Sequence, residues 1–116
     1  AALLEWLDVP FTGCPSSAMV LGRDKIRAKH LLAAAGLPTP AYAVVGAEPV
    51  PEWRGGWPAI VKPALQDASV GIDQGSVVTA PDQFAARVRH VLDAYGPPVL
   101  VERFVAGREF LVHAIE

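Results

Sequence analysis

The chain has 116 residues, 52% of them hydrophobic and 19% charged, with a formal net charge of −2 and an isoelectric point near 5.9. That balance excludes a disordered chain and supplies no basic footprint, so nucleic acid is not expected as a partner. Apolar runs such as Val99-Leu100-Val101 fall far short of the ~20 residues of a membrane helix, and the single Cys14 leaves no internal disulfide or multi-cysteine metal site and fits a reducing compartment.

The opening Ala1-Ala2-Leu3-Leu4-Glu5-Trp6 has no positive segment and does not read as a signal peptide, so the cytoplasm is the expected setting. Leu3, Leu4 and Leu7 read as the last turns of a helix that ends before Pro10. A short helix over Ser16 to Leu21 should break at Gly22. Asp24 suits the N-cap of the next helix, Lys25 to Ala35, with Ile26, Leu31, Leu32 and Ala35 near one face. Gly36 and Pro38 stop it.

Ala41 to Val45 is β-capable, and Glu48 to Gly56 is a surface connection rich in proline and glycine. Pro58 to Lys62 reads as a short buried strand ending at Pro63. Ala64 to Gln74 has no clear period and leads to a strand at Ser76 to Thr79. Pro81 and Asp82 open a helix on which Phe84, Val88, Val91, Leu92 and Tyr95 form an apolar face, ended by Gly96-Pro97-Pro98. Val99 to Glu102 and Glu109 to Ile115 read as two more strands, joined by a turn at Ala106-Gly107. The expected fold class is α+β, a mostly antiparallel sheet with two main helices packed on it. The final strand is still running at Glu116, which reads as a truncated piece of a longer protein.

A few residues sit where local rules do not want them. Lys25 puts a cation in the first turn of a helix, against the macrodipole, which is tolerable beside Asp24 or useful toward an anion. Lys62 leaves an apolar strand just before a proline, which aims a long cation beyond the sheet edge; a snorkelling surface lysine is the plainer reading. The loop Ala64 to Ile72, with Ser69, Val70 and Gly71, could offer backbone N–H groups to a phosphate or be an ordinary connection. Glu102 and Glu109 flank a turn lined by Phe104 and Val105, which suits a heteroaromatic ligand with amine or sugar hydroxyls, or else an exposed charged hairpin. His30, His90 and His113 are too scattered for a metal or base constellation, and Cys14, Trp6, Trp53 and Trp57 read as structural.

In order, Phe11-Thr12-Gly13, Asp24-Lys25, Leu31-Leu32-Ala33-Ala34-Ala35-Gly36-Leu37-Pro38-Thr39-Pro40, Ile60-Val61-Lys62-Pro63, Ala68-Ser69-Val70-Gly71, Val101-Glu102-Arg103-Phe104 and Gly107-Arg108-Glu109 resemble the D-alanine–D-alanine ligases of the ATP-grasp superfamily. The resemblance implies that residues 1–22 end an N-terminal domain and 23–116 form the central ATP-grasp subdomain. It implies a carboxylate–amine ligase that works through an acyl phosphate, with ATP and an amino acid such as D-alanine as substrates and Mg²⁺ as cofactor. Lys25 and Lys62 then match phosphate-contacting lysines, and Ser69, Val70 and Gly71 the loop that covers the phosphates. Glu102 matches the acceptor for the adenine amino group, Arg103 and Val105 the hinge whose backbone faces adenine, Phe104 its aromatic lining, and Glu109 the ribose carboxylate. The Mg²⁺ ligands and a catalytic arginine are expected beyond residue 116, so no metal ligand or catalytic residue is expected within the chain, which alone should be inactive. A homodimer stays open for the full-length protein, and no membrane or nucleic acid is implied. Gln66-Asp67-Ala68 departs from the family's Glu-Gly-Ser, which bears on D-alanine specificity. An ATP-grasp ligase for other substrates and a non-catalytic nucleotide-binding or structural module are the alternatives.

Overall fold

In the computed structural model, which describes residues 1–112, side-chain alternation along four strands makes a sheet with two unlike faces. The strands are β1 (Tyr42–Val45), β2 (Ala59–Pro63), β3 (Val77–Val78) and β4 (Val99–Arg103), in the order β1-β4-β2-β3 with every described pairing antiparallel. The registers align Val45 with Val99, Ala43 and Val61 each with Val101, and Ala59 with Val78. These residues share one face and build the core with Val88, Val91 and Phe84 of the long C-terminal helix Pro81–Tyr95. Val61, Val88, Val91, Val99 and Val101 are all fully buried, each contributing about 1.5–3 kcal/mol. Trp57 meets Phe84 edge to face at 6.1 Å, and buried Trp53 donates its indole N–H to the Gly56 carbonyl at 2.8 Å.

The opposite face carries Tyr42, Ile60, Lys62, Leu100 and Glu102. Lys62 stands opposite Leu100 and Glu102 opposite Ile60, so Lys62 and Glu102 are diagonal neighbours, within reach of long side chains. Three helices precede the sheet: α1 (Ala2–Trp6), α2 (Ser16–Arg23) and α3 (Lys25–Ala34); with these numbered, the C-terminal helix is α4. The Asp24 carboxylate caps α3 by accepting from the Ile26 and Arg27 N–H groups at 3.1 and 3.0 Å, as the sequence predicts.

Four expectations change. Helix α2 runs through Gly22 to Arg23, since nothing crowds that position and the glycine keeps helical backbone. The apolar stripe of α3 does not face the core: Leu31 and Leu32 are 52% and 39% exposed, while the buried residue of the helix is Lys29. The sheet face it approaches carries a carboxylate, and the complement of a carboxylate is a cation. Trp6 is exposed and packs no core. Over Glu109–Val112 the chain is not strand, because extended backbone becomes strand only with a partner and this stretch pairs with neither sheet edge; the rest of that expected strand lies outside the described residues.

Candidate functional site

Lys25 and Lys29 lie four residues apart on α3 and therefore point from the same side of the helix. Lys29 is 4% exposed and its ammonium sits 2.6 Å from Glu102 Oε1. It also donates to Thr39 Oγ1 at 2.5 Å and to the Pro40 carbonyl at 3.2 Å, with the Tyr42 ring 4.8 Å away. Lys62 reaches the other oxygen, Glu102 Oε2, from the neighbouring strand. Glu102, 8% exposed, is thus held between two ammonium groups and is not part of an exposed hairpin. Burial pushes its carboxyl up, but hydrogen bonds from Lys29 and Lys62 outweigh that and hold it below the usual glutamate range.

Lys25 anchors to the segment just after Lys62. Its N–H donates to the Ala64 carbonyl at 3.2 Å and its ammonium to the Gln66 carbonyl. Burial lowers its pKa and the positive charge of Lys62 lowers it further, with Asp67 and Glu102 opposing. The two lysines therefore sense one another's charge on the same side of the sheet. A second cation close to Lys25 favours a polyanion between the two.

The loop after β2 has a defined shape. Ala68 and Ser69 have φ of 53° and 60°, in the left-handed region that side chains seldom adopt. The Asp67 carbonyl accepts from the Val70 N–H and the Ser69 carbonyl from the Ile72 N–H, both at 3.0 Å. Gly71, at φ 76°, is required: a Cβ there would lie 2.5 Å from Pro63 Cγ and 3.0 Å from the Tyr95 ring. Arg87 of α4 pins the exit of the loop, donating to the Gly71 carbonyl at 3.0 Å and to Ser76 Oγ at 2.8 Å and pairing with Asp73 at 3.1 Å. Ser69 and Val70 themselves are exposed.

Beyond Glu102 the backbone leaves the sheet under restraint, with the Arg103 N–H bonded to the Ala41 carbonyl and the Phe104 N–H to the Pro58 carbonyl, each at 2.9 Å. Phe104 is half-buried, whereas Arg103, Val105 and Glu109 are exposed, Glu109 in an irregular segment. Among the described residues no group of three or more His, Cys, Asp and Glu side chains could hold a metal ion, and no helix is long and apolar enough to cross a membrane. Sequence reasoning missed Lys29 and Arg87. The Lys25–Lys29 spacing could have found the first, whereas nothing local marks the second.

Comparison with known proteins follows the same pattern. The family described as D-ala D-ala ligase C-terminus matches residues 31–116. A D-alanine–D-alanine ligase of Halorhodospira halophila is 40% identical over 95% of this chain and 35% of its own length, and one of Gloeobacter violaceus is 35% identical over 98% and 38%. The D-alanine–D-alanine ligase structure from Helicobacter pylori superposes with a TM-score of 0.73 at 26% identity, covering 91% of this chain and 34% of that one. The Bacillus anthracis enzyme complexed with ATP shares the fold, with a TM-score of 0.76 at 22% identity over 91% and 35%. The chain thus spans roughly a third of the length of these relatives.

Proposed function

Because this chain belongs to the D-alanine–D-alanine ligase family, we propose that it carries one side of the ATP site of an ATP-dependent carboxylate–amine ligase. The observation that supports this most is Lys62 paired with the buried Glu102 while Lys25 bonds to the Ala64 and Gln66 carbonyls just beyond Lys62 in the chain. In this reading residues 23–116 are the central ATP-grasp subdomain and 1–22 the end of a preceding one. Lys25 and Lys62 hold the phosphates, and the loop at Ser69, Val70 and Gly71 covers them. Glu102 accepts from the adenine amino group, the Arg103–Val105 backbone and Phe104 border the base, and Glu109 takes the ribose hydroxyls.

The reaction in this reading is phosphorylation of a carboxylate by ATP, followed by attack of an amine on the acyl phosphate. The chain's own contribution is electrostatic. Lysines already close together neutralise charge on the transferring phosphoryl group without reorganising when it develops. The described residues offer no donor set for Mg²⁺, so no step is assigned to a metal here. D-alanine as substrate, a homodimeric full-length enzyme and a cytoplasmic setting belong to the same proposal. Asp67 and Ala68, in a loop whose family form carries a glycine and a serine there, favour one second reading: a ligase of this mechanism with other substrates.

The test is Lys62→Ala in the full-length protein that carries this chain, followed by ATP- and D-alanine-dependent ADP release. The expected result is a KM for ATP raised at least tenfold, or no turnover, in line with the loss of a charge-assisted contact. Unchanged kinetics would remove Lys62 from the site. A wild-type protein that releases ADP with other amino acids but not with D-alanine would select the second reading.

A further inference from the structure

We propose that Lys29 is a positioning residue for nucleotide recognition: it keeps Glu102 oriented as an ionised acceptor when Lys62 turns to the phosphates. The proposal rests on the reading of Glu102 as the acceptor for the adenine amino group. Nothing in the sequence motifs singles Lys29 out, and its geometry differs from that of the other two lysines. Its ammonium has three acceptors within 3.2 Å, Glu102 Oε1, Thr39 Oγ1 and the Pro40 carbonyl. An ammonium has three protons to give, so Lys29 has none left for a ligand. Its 6% side-chain exposure also keeps it from solvent.

Lys62 is placed differently. Its side chain is 19% exposed, and Glu102 Oε2 is the acceptor it meets. An incoming polyanion competes for it directly. Once Lys62 leaves, Oε2 is free to accept from a base, but a buried carboxylate stripped of both partners would take up a proton and become a donor. Lys29 prevents that, because its other two bonds tie it to the segment after α3 and hold it against Oε1. The charged and titratable groups that face Glu102 are Lys29 and Lys25 from α3, Lys62 from β2 and Tyr42 across the β1–β4 register. After Lys62 and Lys25 engage phosphate, Lys29 is the cation left to it.

A purine with an amino group at position 6 donates to an ionised Glu102, whereas one with a carbonyl there is repelled. The full-length protein should therefore prefer ATP to inosine 5′-triphosphate, measured as the ratio of kcat/KM values, and hold that preference constant from pH 6 to 9. In Lys29→Met the ratio should fall at least tenfold at pH 6, the scale of one misplaced hydrogen bond to a charged group, and recover in part as the pH rises and Glu102 ionises. A purely structural role for Lys29 would lower both kcat/KM values together and leave the ratio and its pH profile alone, which would overturn the proposal. Thr39→Val removes one of the two anchors without touching Glu102 and keeps the question answerable if Lys29→Met does not fold. It should lower the ratio by about two- to threefold, the cost of one neutral hydrogen bond acting at second hand, and an unchanged ratio there also overturns the proposal. A wild-type protein with no preference for ATP over inosine triphosphate would overturn the adenine reading of Glu102 together with this one.

Discussion

Residues 2–34 and residues 42–103 are built by different rules. The second region buries a continuous apolar core between one sheet face and α4, with five valines fully excluded from water. The first has three helices, and neither α1 nor α2 buries a residue, while α3 buries only a lysine. Several of its large apolar side chains, Met19, Val20 and Leu31 among them, are more than half exposed. One region is held by exclusion of water. The other meets the sheet and the segment after β2 through Arg23, Lys25 and Lys29, so the contact that joins them includes the candidate nucleotide site. Directional, charge-paired contacts suit a place where a ligand must compete with the protein's own bonds, whereas a packed core suits a platform that must not move.

The sharpest way to break this contrast is Phe84→Ala, at 4% exposure and against the Trp57 ring. It should cost about 3–5 kcal/mol of global stability in urea unfolding, and a loss below about 1 kcal/mol would mean that the core does not carry the fold. Acid should act on the other region. Glu102 has its carboxyl lowered in the folded state, so its stabilising contribution is complete above the ordinary glutamate value of about 4.3 and is lost as pH falls through the folded value. Amide hydrogen exchange at pH 3 should therefore show α3 deprotected well before β2 and β4, with a smaller difference in Glu102→Gln. Simultaneous deprotection of both regions would mean that the ion pairs do not join them. The smallest effect is expected for Leu31→Ser on the exposed side of α3, within about 0.5 kcal/mol by the same urea measurement. A larger loss would show that the helical region has a core of its own.

Much of this was legible because the signals are local. The Asp24 cap, the Pro81 start, the Phe84-Val88-Val91 face and the strand at Val99 all follow from periodicity or end chemistry, and each stands where the sequence predicts it. Lys25 and Lys62 stand where local rules disfavour or waste a cation, and the structure turns Lys62 and the Lys25–Lys29 side of α3 toward the sheet face that carries Glu102. The apolar positions of α3 misled because a stripe of leucines does not say whether the facing surface is apolar. Here that surface carries Glu102.

Helix ends, strand alternation and the family motifs are properties of the chain over a few residues, and the sequence by itself determined them. The partners of Lys29, Arg87 and Gly71 lie on segments distant in the chain. Only the tertiary structure decided which lysine is spent inside the protein and which remains available, because that depends on how many acceptors the fold gathers around each ammonium.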